Sequence, residues 1–243
     1  MKKNYVLLLM SLVLSVSLMA VKKVAYVTFN KTTMTATATT PANDPIIQML
    51  KADPNLDVTV KVVLGTDVIT DLATYDVIIV QESFNSGDAI IKYSGSLGIK
   101  SIPKPFIYNK TYALKTGKAI TTSPATAVEA ATPTITVEAG ALTNDLFKAC
   151  TFSNVNEITL LVDPSTDLGE LGLTNSIKYL NNTTGNVISG ASTLLAQPKG
   201  VTNAAIAIND IPAGSTIDTE TTLSRMIAIS MNFGAICANG EKT

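Results

Sequence analysis

The sequence predicts an α/β fold in which a mostly parallel central sheet is flanked by helices, with an antiparallel extension allowed for in the second half. Three observations predict it. Short apolar runs rich in β-branched residues alternate with helical stretches in the first half, as in strand–helix–strand units. The run at residues 76–81 is apolar at four successive positions, which is typical of a strand covered on both faces. The second half adds further strands with few helices between them.

The elements of the first half are predicted in regular order. Strands are predicted over residues 23–29, 57–64, 76–81 and 105–108. A helix is predicted over 45–51, since Asp44 is a good N-cap and Pro45 suits the first helical position. A single helical turn is predicted over 70–75 and an interrupted helix over 86–97. The Thr-rich stretch 32–40 is predicted to be a long loop between a strand and a helix.

The second half is predicted to contribute mainly strands. These lie at residues 157–162, 193–197, 204–208 and 226–231. Residues 135–139 alternate like an exposed strand, and 142–150 can form a short helix. Pro212 to Gly214 is a turn signal. The strand at 226–231 is followed by only twelve residues, which favours truncation or continuation in a longer natural protein.

The N-terminal residues 1–20 are predicted to be a secretory signal peptide. Lys2 and Lys3 precede an apolar stretch, and cleavage is expected after Ala20. The alternative is a permanent N-terminal anchor, although the stretch is shorter than a spanning helix usually requires. No second hydrophobic span follows in the sequence. We therefore expect residues 21–243 to form one exported domain, placed in the periplasm, at the cell surface or outside the cell.

Composition excludes several classes of function. The chain has no histidine, no tryptophan and two cysteines, so Ser-His-Asp and Cys-His catalysis and most zinc sites cannot be assembled. No metal and no cofactor are predicted. The net charge is −1 and the basic residues are scattered, so no nucleic-acid partner is expected. Cys150 and Cys237 could pair in an oxidising compartment; their apolar surroundings favour buried, unpaired thiols.

Several phrases of the sequence resemble the class I glutamine amidotransferase-like superfamily, in particular its trehalose-utilisation-like branch. They are KVAYVTFN at 23–30, YDVIIVQESFNSG at 75–87, KPFIYNKTYAL at 104–114, AAIAINDIPAGSTI at 204–217 and SRMIAISM at 224–231. The resemblance implies a flavodoxin-like fold and a strand-to-helix elbow at residues 109–111. Active members carry a nucleophilic cysteine there, served by a histidine. This elbow has neither, and Cys150 and Cys237 lie elsewhere, so we expect no glutaminase activity.

Ligands of open α/β sheets bind beyond the carboxyl ends of the strands, where strand order reverses. That rule selects a set of hydroxyl, amide and charged side chains. The predicted ligand-binding residues are Thr28, Asn30, Gln81, Glu82, Ser83, Asn109, Lys110, Thr111 and Tyr112. The alternative is that they only cap helices and close turns.

Two functions follow from these residues. The first is a secreted, non-catalytic domain that binds a small polar or carbohydrate ligand, or that serves as a module of a larger surface protein. The second is a divergent, histidine-free hydrolase of a carbohydrate or amide substrate, in which Glu82 and Lys110 act as an acid/base pair. A structural ion pair is the simpler interpretation of these two residues, so an enzyme is the less favoured alternative.

Overall fold

A nine-stranded mixed sheet organises the part of the chain that can be described. The computed structural model describes residues 21–29, 45–64, 66–81, 84, 102–109, 125–130, 134–160, 177–182, 191–201, 205–217 and 220–231. The strands are β1 (Lys22–Phe29), β2 (Leu56–Val63), β3 (Val77–Val80), β4 (Phe106–Tyr108), β5 (Ala125–Ala130), β6 (Thr134–Val137), β7 (Glu157–Thr159), β8 (Ile177–Asn182), β9 (Thr193–Pro198), β10 (Ala205–Ile206), β11 (Ile208–Ile211), β12 (Thr216–Ile217), β13 (Glu220–Thr221) and β14 (Met226–Ile229). The α-helix is α1 (Pro45–Ala52).

One half of the large sheet is parallel. Its strand order is β2-β1-β3-β4-β14, and every neighbouring pair in this half is parallel. All four residues of β3 and all four of β14 are buried, as expected for strands covered on both faces. The order 2-1-3-4-5, with β14 as the fifth strand, is the order of flavodoxin-like sheets.

The other half of the large sheet is antiparallel. Strands β11, β9, β6 and β7 continue it beyond β14, each antiparallel to its neighbour. A second sheet of order β10-β8-β5 is also antiparallel, and β12 pairs with β13 as a hairpin. Gly214, in the predicted turn at 212–214, has a φ of +82°, which L side chains rarely adopt.

The prediction of a mostly parallel, helix-flanked sheet is therefore wrong. Most strand pairings among the described residues are antiparallel, and α1 is the one α-helix that the described ranges contain. Parallel neighbours need a crossover of a dozen or more residues, usually helical, and the second half offers too little helix for that. The helix predicted over 86–97 lies outside the described residues.

Two smaller expectations for the second half are also corrected. The predicted helix 142–150 contains only a 3-10 turn, Asp145–Phe147, because the Asn144 side chain accepts from the Leu146 N–H and starts the turn late. The segment 135–139, expected to be exposed, contributes to β6, which lies between β9 and β7 with Ile135 and Val137 fully buried.

The core has two parts, one on each face of the sheet. On one face α1 packs Ile46, Ile47 and Leu50 against alternate residues of β1 and β3, including Tyr26 and Ile79. The predicted helical turn at 70–75 forms a 3-10 turn, Leu72–Thr74, and Leu72 packs on the opposite face with Tyr75, Phe84 and Tyr108. Within the described residues, no helix is long and apolar enough to cross a lipid bilayer.

Replacing Ile47 tests the packing of α1. Ile47 is fully buried, so Ile47→Ala should lower the free energy of unfolding by about 2–5 kcal/mol, through lost transfer energy and the cavity left behind. Urea denaturation measures the difference. Lys51→Ala, on the exposed side of the same helix, should change it by less than about 0.5 kcal/mol. Equal effects of the two substitutions would contradict the packing described.

Candidate functional site

Three of the predicted site residues form one row at the carboxyl edge of the parallel strands. The ladder continues one residue past β3 and β4, because Gln81 N–H donates to the Val27 carbonyl (3.0 Å) and Asn109 N–H donates to the Val80 carbonyl (2.9 Å). Val27 is paired with Val80, and Val80 with Tyr108. The next residues along these three strands are Thr28, Gln81 and Asn109. They are therefore neighbours across the sheet.

The three side chains share the face of the sheet that α1 covers. Side chains alternate between faces along a strand. Each of the three lies two residues beyond a member of the core on that face, namely Tyr26, Ile79 and Ile107. The row therefore ends an apolar core with one hydroxyl and two amides.

All three side chains are buried, and their hydrogen bonding differs. Thr28 is 6 %, Gln81 6 % and Asn109 3 % exposed. The Thr28 hydroxyl donates to Gln81 Oε1. The Asn109 Oδ1 atom is buried without a hydrogen-bond partner. Leaving a buried acceptor unsatisfied costs about 1–3 kcal/mol, and an ordered water or a bound group can supply the missing donor. The Oδ1 atom of Asn209, in β11, is buried without a hydrogen-bond partner in the same way, but it lies outside this row.

The row lies at the topological switch point of the parallel half. The strand that follows β1 in the chain is β2, which lies on one side of β1, whereas β4, which follows β3, lies on the opposite side of β3. The connections after β1 and β3 therefore lead in opposite directions from this edge. Ligands of open α/β sheets bind in the crevice that such a reversal creates. The site predicted from strand ends and the row of buried polar groups therefore coincide at Thr28, Gln81 and Asn109.

The remaining predicted site residues lie outside the described residues. They are Asn30, Glu82, Ser83, Lys110, Thr111 and Tyr112. Glu82 and Lys110 directly follow Gln81 and Asn109 in the chain, but the structure does not test whether they form an acid/base pair. Their roles stay predictions.

The single arginine of the chain, Arg225, is paired away from this row. Arg225 donates through Nε and one terminal nitrogen to the two carboxylate oxygens of Asp210, both at 2.8 Å. This hydrogen bonding raises the pKa of the Arg225 guanidinium. Among the residues described, no three histidine, cysteine or carboxylate side chains cluster in a way that could hold a metal ion. The described part of the row is neutral.

Cys150 is a free, partly buried thiol remote from the strand ends. It lies in the connection between β6 and β7, with its Sγ 3.8 Å from the Leu146 carbonyl oxygen. Burial raises the pKa of this thiol to about 12. A thiol that stays protonated is a poor nucleophile. Cys237 lies outside the described residues.

Sequence reasoning missed one polar residue at the same edge. Ser230 follows β14, the fifth parallel strand, and is fully buried. Its hydroxyl donates to the Ile206 carbonyl and lies 3.4 Å from the Ala207 carbonyl oxygen. The signal was a serine closing an apolar run. Ala228 is paired with Tyr108, so Ile229 is the neighbour of Asn109, and Ser230 lies one residue further along and on the opposite face of the sheet. Because its partners are backbone carbonyls, Ser230 joins β14 to the β10–β11 segment.

Comparison with family models, with curated protein sequences and with solved structures found no match to the chain.

Alkylation of Cys150 tests the environment of this thiol. In a Cys237→Ser chain, iodoacetamide at pH 8 should modify the folded protein about 100-fold more slowly than the denatured protein, since the folded thiol ionises only near pH 12. The folded state also keeps a proton that the unfolded thiol loses above about pH 8.5, so stability should fall as pH rises past that value. Equal alkylation rates, or a rate that levels off near pH 8, would contradict the burial.

Proposed function

We propose that this chain is a secreted, non-catalytic amidotransferase-like domain that binds a small polar ligand of the carbohydrate kind at the carboxyl edge of its parallel strands. The observation that carries the proposal is the buried Asn109 Oδ1 without a hydrogen-bond partner. It lies beside Gln81 at the switch point, where a ligand hydroxyl would satisfy it.

The chemistry of the row favours a neutral ligand. A carboxamide offers an acceptor oxygen and two N–H donors, and a hydroxyl both donates and accepts. Gln81 and Asn109 can therefore bind adjacent hydroxyl groups of a polyol, each acting as donor and acceptor. A phosphate or carboxylate ligand would favour a guanidinium, and the single arginine is paired with Asp210.

The proposal that the domain is non-catalytic rests on the absence of histidine from the sequence and on the position and burial of Cys150. The sequence has no histidine to act as a base. The elbow position that follows β4 begins with Asn109, and Cys150 lies in the β6–β7 connection with a raised pKa. The amidotransferase-like part of the proposal rests on the sequence phrases at 23–30, 75–87 and 104–114; the strand order β2-β1-β3-β4-β14 agrees with it in the parallel half only. Export rests on the signal-like residues 1–20.

A single substitution separates a binding role of Asn109 from a structural one. Leucine has the branched shape of asparagine, with larger terminal groups, and removes the unsatisfied amide. Asn109→Leu should leave the free energy of unfolding unchanged or raise it by about 1–2 kcal/mol, because binding groups are often retained at a cost in stability. The same variant should lose the thermal stabilisation that a mono- or disaccharide gives the parent protein. Differential scanning fluorimetry over a sugar panel, followed by calorimetry, measures both effects.

Asn209→Leu is the matched control. Asn209 is fully buried in β11 of the same sheet and pairs with Ala228, which packs in the core on the other face. The Oδ1 atom of Asn209 is likewise buried without a hydrogen-bond partner, so we expect Asn209→Leu to change stability in the same direction as Asn109→Leu and to keep the sugar-dependent shift. A sugar-dependent shift that Asn109→Leu retains, or that both variants lose equally, would contradict the proposed site.

The hydrolase alternative is distinguished by turnover. If Glu82 and Lys110 are an acid/base pair, incubation with oligosaccharides or amides releases products and Lys110→Met abolishes the release. The binding proposal expects no product and a ligand-dependent shift that persists in part in Lys110→Met. Product formation lost with Lys110 would replace the proposal with the enzyme.

A further inference from the structure

The two edges of the nine-stranded sheet differ in length and chemistry. Strand β7, at one edge, has three residues, whereas β2, at the other, has eight, of sequence LDVTVKVV. Short edge strands resist pairing with other chains, while long apolar ones invite it. Val62 and Leu64 beside this edge are 44 % and 43 % exposed.

The backbone of β2 presents regularly spaced hydrogen-bonding groups on its outer side. Lys22 N–H donates to the Asn55 carbonyl (2.8 Å), and Lys22 is paired with Leu56. In a parallel ladder this places the N–H and C=O groups of odd-numbered β2 residues toward β1, and those of Val58, Val60 and Val62 away from it. In the order of the described strands, β2 has no neighbour on that side.

We propose that a second copy of the chain occupies this edge, with the two β2 strands paired antiparallel about a two-fold axis at Thr59. This register follows from the sequence of β2. It places Asp57 opposite the second copy's Lys61, and Lys61 opposite the second copy's Asp57. Val58 meets Val60, Leu56 meets Val62, and Thr59 meets its own counterpart. Each of these is a favourable cross-strand pair.

The backbone pattern agrees with the same register. Val58 and Val60 point their N–H and C=O groups outward, so they form the hydrogen-bonded pairs of the new ladder. Asp57–Lys61 and Thr59–Thr59 then occupy the non-hydrogen-bonded positions, where side chains come closest. A shift of the register by two residues in either direction removes both Asp–Lys pairs.

Two contacts within its own chain position the Lys61 side chain at this edge. Its Nζ lies 2.6 Å from Asp71 Oδ2 and 5.4 Å from the centre of the Tyr75 ring. This hydrogen bond raises the pKa of Lys61. A lysine at a sheet edge ordinarily opposes edge pairing by its charge. Here Asp71 offsets the charge, and Asp57, which is exposed, would add a second carboxylate across the axis.

The two-fold register makes charge-reversal variants a specific test. Asp57→Lys places two Lys–Lys pairs in the interface, and Lys61→Glu places two Asp–Glu pairs. Sedimentation velocity should show the parent dimerising at a protein concentration between about 1 µM and 1 mM, since edge pairing buries little surface and gives a weak dimer. Each variant should remain monomeric over the same range of concentration. An equimolar mixture should restore a heterodimer, since both cross-axis pairs become Lys–carboxylate. Lys148→Glu, which removes the exposed Lys148–Asp145 pair (2.6 Å), is the matched control and should dimerise like the parent.

Val60→Pro tests the backbone part of the same interface. The Val60 N–H points away from β1, so proline there should remove the dimer while circular dichroism stays close to that of the parent. A parent that is monomeric over the whole concentration range would overturn the proposal. So would a dimer that survives Asp57→Lys and Val60→Pro, or two charge variants that do not associate when mixed.

Discussion

Strand β14, Met226–Ile229, joins the two halves of the large sheet, and the arrangement of both halves depends on it. It is parallel to β4 on one side and antiparallel to β11 on the other, and all four of its residues are buried. Ile227 is paired with both Ile107 and Asp210, so one residue fixes the register of the two halves relative to each other. Arg225, just before the strand, binds Asp210 through two nitrogens and adds a polar constraint to the same junction. Without β14 the parallel strands would end at β4 and the antiparallel strands at β11.

The position of the candidate site follows from this junction. β14 completes the parallel half on the side of β4, and α1 covers the face that carries the row Thr28, Gln81 and Asn109. The backbone of the row is held because strands lie on both sides of Gln81 and of Asn109. A polar group held in so rigid a surrounding loses little entropy when a ligand binds, which is the physical basis of a preorganised site.

The sequence predicted the positions of the strands in the parallel half well, because the signals for these strands are local. The β-branched run of β1, the four apolar residues of β3 and Pro45 at the first position of α1 each specify an element without reference to distant residues. Thr28, Gln81 and Asn109 then follow from the rule that sites lie at strand carboxyl ends. The antiparallel half could not be predicted in the same way. The direction of β11, β9 and β6 depends on which strands pair. The alternation of apolar and polar residues in ITVEA (135–139) fits an exposed strand as well as an inner strand such as β6. Whether Asn109 Oδ1 has a hydrogen-bond partner likewise depends on the tertiary structure, since in a turn the same side chain would accept from nearby backbone N–H groups.

Native-state hydrogen exchange of β14 tests the role of this strand most directly. If β14 joins the two halves, its amides should exchange only through global unfolding, as slowly as those of β1 and β3, and with the same dependence on denaturant. Peptide-resolved mass spectrometry over a denaturant series separates the strands. Exchange of β14 and β11 at low denaturant, while β1 and β3 remain protected, would show that the antiparallel half opens independently and would contradict the account.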